Sequence, residues 1–178
     1  MATITIAAGR PHDPGAPLNA PIVPATSFQA GGDTDYARDS NPTWTAFEDI
    51  VGELEGGRAV AFGSGMAAIE AGFSVLSEQV GTPCPRVARP RVHYAGSTGL
   101  LRHWERAGRV ALVEYTAGDP ASAAAAAGSC DILLIESPAN PTMDITDIAA
   151  VARLAHDAGA LVVADNTYAT PFATRPLT

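Results

Sequence analysis

The sequence contains no lysine, and all eleven of its basic residues are arginines. Arginine stays protonated in proteins, so the chain carries no side-chain amine that can lose a proton. Schiff-base chemistry needs such an amine as the nucleophile. Any function of that kind must therefore draw its amine from outside this chain.

Cysteine and histidine are also scarce. Cys84 and Cys130 lie far apart and form no C-x-x-C pair, which favours two ordinary thiols in a reducing compartment. The four histidines include no H-x-x-x-H pair on one helix face. We therefore predict no metal site.

Long apolar runs and an excess of positive charge are missing as well. No apolar run approaches the roughly 20 residues of a membrane span, and the N-terminus lacks the basic and apolar regions of a signal peptide. The net charge of -8 argues against nucleic acid or an anionic membrane as a partner. We expect a cytoplasmic protein.

What the sequence does have is an alternation of apolar and amphipathic stretches across 178 residues, enough for a domain with a real core. A short strand is predicted at 58–62 and buried strands at 110–113, 132–135 and 160–164, with a short edge strand inside the proline-containing loop 81–90. Helices are predicted at 43–55, 67–76, 97–106, 120–127 and 146–158. This alternation is typical of a mostly parallel α/β sheet. We predict an extended arm over residues 1–40 and an α/β domain over residues 41–178.

The most informative stretch is ALVVADNTYATP, residues 160–171. Its small and β-branched residues predict a strand buried on both faces, which ends in Asp165, Asn166 and Thr167. Open α/β sheets bind ligands at the carboxyl ends of such strands. A lone buried carboxylate is costly, so Asp165 should face a cation such as a protonated ring nitrogen, a metal or an arginine.

A glycine-rich turn, Gly63 to Met66, precedes an apolar helix. Its free backbone N–H groups and the positive end of the helix dipole could hold a phosphate, although an ordinary strand-to-helix turn explains the same tetrapeptide. A Rossmann-type nucleotide site is a remote alternative, because the G-x-G-x-x-G spacing is absent.

Two long segments carry a family resemblance. YARDSNPTWTAFEDIVGELEGGRAVAFGSGMAAI, and ESPANPTMDI followed by a helix and VVADNTYATPFATRPL, resemble the γ-family of pyridoxal-phosphate enzymes: cystathionine γ-lyase, cystathionine γ-synthase and methionine γ-lyase. The resemblance covers nearly the whole chain from about Pro21 onward. It implies pyridoxal 5'-phosphate as cofactor, γ-elimination or γ-replacement on a sulfur amino acid, and an aspartate-aminotransferase-like (fold type I) domain that is incomplete here.

The resemblance also implies roles for individual residues. Asp165 would keep the pyridine nitrogen protonated, and Tyr94 would stack on the ring and assist proton or leaving-group chemistry. Asn140 would lie near the phenolic oxygen and the substrate carboxylate, while Glu136 is interpreted as structural. The implied cofactor-binding set is Tyr36, Arg38, Ser64, Gly65, Met66, Tyr94, Asn140, Asp165 and Thr167, with Tyr94 and Asp165 catalytic.

In that family, Tyr36 and Arg38 would cross a subunit interface to the cofactor phosphate of the neighbour, where an Arg fork matches phosphate oxygens. The segment HYAGSTGLL departs from the commoner Tyr-Gly-Gly-Thr/Ser-Tyr pattern, which leaves the finer substrate assignment open. The choice between lyase and synthase also stays open, because the family's specificity residues lie in its C-terminal part.

Family members bind the cofactor covalently through a lysine beyond the DNT segment, and this sequence stops at Thr178 without one. Three hypotheses follow. A second polypeptide supplies the lysine and the C-terminal domain in an obligate heteromer, or the chain is a truncated form of an ordinary enzyme. The third is a lysine-free pseudoenzyme that acts as a binding or scaffolding subunit.

Overall fold

The computed structural model describes residues 7–178, which form two compact units. Residues 7–61 with Leu177 and Thr178 make the N-terminal unit, and Phe62–Pro176 make the sheet unit. The division into an arm of residues 1–40 and a domain of residues 41–178 stays a prediction. The first six residues of that arm lie outside the described residues.

Helix α1 (Pro42–Glu55) is the main element of the N-terminal unit. Asn41 caps it by accepting the Thr43 N–H at 2.8 Å, and Pro42 occupies the first turn, where its missing N–H costs nothing. Gly56 ends the helix in the left-handed region, with φ of 78°. The predicted bounds are close to these. Phe47 on this helix is 57% exposed.

The preceding arm contains a short antiparallel pairing rather than extended chain alone. Ser27 and Tyr36 form an isolated bridge. The Phe28 N–H donates to the Asp35 carbonyl at 3.0 Å, and the Ala37 N–H donates to the Thr26 carbonyl at 2.9 Å.

The sheet unit is built on four parallel strands in the order β2-β1-β3-β4. The strands are β1 (Arg86–Pro90), β2 (Ala111–Tyr115), β3 (Ile132–Glu136) and β4 (Leu161–Asp165). The helices are α2 (Gly65–Val80), α3 (Ala95–Arg106), α4 (Pro120–Ala127), α5 (Ile148–Asp157) and α6 (Thr170–Ala173). This confirms the predicted α/β class with a parallel sheet.

Two apolar cores cover the two faces of this sheet. Leu133 and Ile135 belong to one core, and Ile132 and Leu134 belong to the other. Successive residues of a strand point to opposite faces, so these two sets lie on opposite sides. The first core includes side chains of α4 and α5, and the second includes Phe73 of α2 and side chains of α3.

Three strand predictions need correction. Residues 58–62 form no strand: the run is short and its apolar residues are exposed, with Val60 at 70%. The strand at 86–90 is central rather than at an edge, because β2 and β3 pair with its two sides. The strand β4 is half-buried throughout instead of buried on both faces, because it stands last in the sheet order.

Parallel strands bring their carboxyl ends to one edge of the sheet. The β3–β4 register pairs Glu136 directly with Asp165, so the last residues of both strands stand side by side.

Within residues 7–178, none of the helices combines the length and the apolar character needed to cross a bilayer.

Candidate functional site

A cavity of about 410 Å³ opens at the carboxyl ends of β3 and β4 and at the start of α2. Seven of the nine predicted cofactor-binding residues line it: Ser64, Gly65, Met66, Tyr94, Asn140, Asp165 and Thr167. They come from segments up to about a hundred residues apart in the chain, and the fold brings them together. The lining also includes Ile69, Glu136, Pro138 and Tyr168.

The other two predicted residues, Tyr36 and Arg38, belong to the N-terminal unit. The Arg38 guanidinium carbon lies 4.6 Å from the centre of the Tyr36 ring, a distance typical of a cation–π contact. Their role at the phosphate of a neighbouring subunit stays a prediction.

Asp165 presents a carboxylate to the cavity at the end of β4. Its Oδ1 accepts the Thr167 N–H at 3.1 Å and the Thr167 hydroxyl at 2.5 Å. Among the residues that the structure describes, no cation forms an ion pair with this carboxylate. Thr167 therefore fixes one oxygen, and the charge remains open to a cationic ligand atom.

The start of α2 offers hydrogen-bond donors for an anion. Ser64 caps the helix: its Oγ accepts the Ala67 N–H at 3.2 Å and its carbonyl accepts the Ala68 N–H at 3.1 Å. The N–H groups of Gly65 and Met66 come first in the helix and have no intrahelical partner. A Cβ placed on Gly65 would meet nothing within 4 Å, so an anion can approach this backbone closely.

Tyr94 lies against Met66 and the first turn of α3. A Cβ on Gly96 would stand 2.6 Å from the Tyr94 Cε1 and 2.7 Å from the Met66 Sδ. Glycine is therefore required for the ring to lie where it does. The Tyr94 side chain is 42% exposed, so a ring face is accessible to a flat ligand.

Glu136, interpreted from the sequence as structural, also lines the cavity. It is 4% exposed. Its Oε2 accepts the Tyr94 N–H at 2.9 Å, and its Oε1 accepts the Asn140 N–H at 2.6 Å. The pKa of this carboxyl is raised, first by burial and also by the negative charge of Asp165, while the two N–H bonds act in the opposite direction. The only feature of the sequence that could have indicated a site role for Glu136 is its place at the end of β3.

His93 lies behind Glu136 and was not predicted. Its Nδ1 is 3.0 Å from the Ser97 hydroxyl and its Nε2 is 3.1 Å from the Thr98 hydroxyl. Because Ser97 Oγ donates to the Tyr94 carbonyl, it accepts from Nδ1–H, and Nε2 accepts from Thr98. Burial, followed by the positive charge of Arg89, lowers the pKa of His93 to about 4. The imidazole is thus neutral at pH 7, and its 3.9 Å approach to Glu136 is not an ion pair.

A family model described as "Cys/Met metabolism PLP-dependent enzyme" matches residues 2–178. The chain belongs to this family. Pyridoxal phosphate (PLP) is the family's cofactor, and the lining of the cavity suits it chemically: it combines a carboxylate that has no cationic partner among the described residues, the N–H donors of a helix start and an accessible tyrosine ring. This bears out the predicted family, fold and cofactor. Within the described residues, no group of three or more His, Cys, Asp or Glu side chains could hold a metal ion.

Several curated relatives are similar to the chain. Cystathionine β-lyase MetC of Bacillus subtilis is 38% identical over 158 residues, which cover 85% of this chain and 38% of the relative. A putative cystathionine γ-lyase of Streptomyces coelicolor is 36% identical over 188 aligned positions, which cover 98% of this chain and 46% of the relative. The chain thus spans less than half the length of these relatives.

Solved structures of similar proteins likewise match this chain over less than half of their own length. MetB of Corynebacterium glutamicum superposes with a TM-score of 0.88 at 32% identity, covering 99% of this chain and 47% of that one. Cystathionine γ-synthase of Xanthomonas oryzae pv. oryzae in complex with cystathionine gives a TM-score of 0.85 at 33% identity, with 99% and 46% covered. The sheet unit is therefore part of a PLP-enzyme fold that this chain does not complete.

Proposed function

We propose that this chain supplies the phosphate, pyridine-nitrogen and ring-face sides of the active site in a PLP-dependent transsulfuration-type enzyme. The reaction would be elimination or replacement at the γ-carbon of a sulfur amino acid or an analogue. Relatives named as cystathionine lyases and synthases support this substrate class.

The observation that carries the proposal is the Asp165 carboxylate. It lines the cavity and forms no ion pair within residues 7–178. A protonated pyridine nitrogen would be a cation that pairs with this half-buried carboxylate. When bound, PLP supplies an electron sink for negative charge at the substrate's α-carbon.

The other lining residues bind and orient. Gly65 and Met66 donate their backbone N–H groups to the phosphate. Tyr94 holds a ring face and limits access of water, while Asn140 presents an amide that can both donate and accept beside the substrate carboxylate. Tyr36 and Arg38 would serve the cofactor phosphate of an adjacent subunit.

The amine must come from elsewhere, because the chain has no lysine. We propose that further sequence or a second polypeptide supplies it together with the C-terminal domain, in a homo- or hetero-oligomer. The half-buried β4 stands last in the sheet order. An apolar strand with an unpaired edge is a surface that further chain can cover.

The absence of lysine also favours one alternative: a pseudoenzyme that acts as a binding or scaffolding subunit. Such a protein could hold PLP without turning over an amino acid. The two functions differ in whether a lysine in the assembly bonds to the cofactor.

The deciding experiment uses protein purified from its native source. Its visible absorption is recorded before and after borohydride, and every chain present is identified by mass. PLP fixed on a lysine of a copurifying chain, or of further sequence joined to this one, is the expected result. A colourless protein that takes up no PLP would overturn the proposed function, and PLP that borohydride never fixes would favour the pseudoenzyme.

A further inference from the structure

Glu136 makes contacts that reach two residues of the cofactor cavity at once. Its two carboxylate oxygens lie 3.2 and 2.9 Å from the Tyr94 nitrogen, and one of them accepts the Asn140 N–H at 2.6 Å. We propose that Glu136 is a positioning residue that fixes the Tyr94 ring and the Asn140 amide at the cavity through their backbone N–H groups. This inference rests on the proposed function.

The two tethered residues follow different strands. Tyr94 follows β1 and stands at the N-cap of α3, where its own side chain makes no capping bond. Asn140 follows β3, four residues after Glu136. One carboxylate therefore links the two loops directly. A negative charge at the start of α3 is also favourable to the helix dipole.

The burial of this carboxylate supports a positioning role. The side chain of Glu136 is 5% exposed, and its nearest basic group is His93 at 3.9 Å. Since that imidazole is neutral, the charge is balanced by N–H dipoles rather than by a cation. A buried charge without a cation is costly, and a simple packing role would be filled more stably by an apolar side chain.

A small movement at Tyr94 would have a large effect on its ring. The Tyr94 ring and the Met66 sulfur both lie against Gly96, since a carbon added there would stand 2.6 Å from the ring and 2.7 Å from the sulfur. Releasing the Tyr94 N–H lets the start of α3 shift, and the ring then leaves its place over the cavity. Misplacing a catalytic group by about 1 Å can cost on the order of 100-fold in rate.

The test compares Glu136→Gln and Glu136→Asp in the complete lysine-bearing protein. Glutamine keeps one acceptor oxygen and replaces the other by an N–H₂ group, so one of the two short bonds to the Tyr94 and Asn140 N–H groups is lost. Aspartate keeps the charge but is one methylene too short. The matched control is Glu114→Gln, which breaks the ion pair with Arg89 on the same sheet away from the cavity.

The readouts are PLP affinity, the visible circular dichroism of bound PLP, kcat and KM, and thermal stability. We expect Glu136→Gln to bind PLP with little loss, to lose visible dichroism, and to lower kcat by roughly 10- to 100-fold with a smaller change in KM. Glu136→Asp should show the same pattern if Glu136→Gln does not fold. Glu114→Gln should lower stability and leave the dichroism unchanged.

Three results would overturn the inference. The first is unchanged dichroism and kcat in both Glu136 variants. The second is a collapse of PLP affinity at normal stability, which would mean that Glu136 binds the cofactor directly. The third is a dichroism loss that Glu114→Gln reproduces, which would mean general destabilisation. If the wild-type protein itself binds no PLP, the proposed function fails, and that result is separate from these three.

Discussion

Acidification should destabilise the sheet unit through His93. Because burial lowers the pKa of His93 from 6.5 to about 4, the folded protein resists a proton that the unfolded chain accepts. Stability is therefore complete above pH 6.5 and falls as the pH drops toward 4. Each pH unit between the unfolded-state and folded-state pKa values of His93 lowers the free energy of unfolding by about 1.4 kcal/mol, so the total loss is about 3 kcal/mol.

The physical cause can be traced to the groups around the ring. The side chain is fully buried, and Arg89 and Arg102 disfavour a second positive charge. Asp165 acts in the opposite direction, and the nearby Glu136 carboxylate lies 3.9 Å away. Burial is the largest effect, so the net shift is downward.

The variant that isolates this effect is His93→Gln. Glutamine can still donate to Ser97 and accept from Thr98, but it does not titrate. Urea unfolding followed by circular dichroism at several pH values between 7.5 and 4 gives the free energy of unfolding for each protein. The wild type should lose about 3 kcal/mol more than the variant over this range.

The control is His103→Gln, which removes an exposed histidine of α3 and should follow the wild-type profile. Parallel pH profiles for the wild type and His93→Gln would refute the reasoning, whatever their absolute stabilities.

Three further predictions concern the cavity. Asp165→Asn removes the charge opposite the pyridine nitrogen and should lower kcat on the order of 100-fold, whereas a kcat within error of wild type would rule out that role. Thr167→Val loses only the hydroxyl bond to Asp165, and its kcat should fall between those of the wild type and Asp165→Asn. Gly96→Ala pushes a carbon to 2.6 Å from Tyr94, so it should alter the visible dichroism of bound PLP while the protein stays folded, and an unaltered spectrum would contradict it. Ser64→Ala removes the α2 cap and should cost about 1 kcal/mol of unfolding free energy, measured by urea titration. The control is the half-buried Ser74→Ala in the interior of the same helix, which removes a hydroxyl but no cap.

Features that depend on residues close together in the sequence could be predicted. Helix α4 occupies the predicted range 120–127, since Asp119 and Pro120 define its start and alanine favours helix throughout. Asp165 could be identified because a short apolar run ends there in polar residues. The missing lysine is likewise a property of composition alone.

The arrangement of strands could not be predicted in this way. Local patterns do not state which strand neighbours which, so the strand at 86–90 was predicted at an edge although it is central. The run at 58–62 has β-forming residues but pairs with no neighbour, and propensity without pairing does not make a strand.

The sequence by itself determined the residue types at the strand ends and helix starts, because these follow from short-range capping, turn and burial rules. Only the tertiary structure decided that Glu136 lies beside Asp165 and holds Tyr94 and Asn140, and that His93 is buried behind them. Those facts depend on strand order and register, which are set by packing between segments distant in the chain. The cavity is a product of that packing, since its lining residues come from segments distant in the chain.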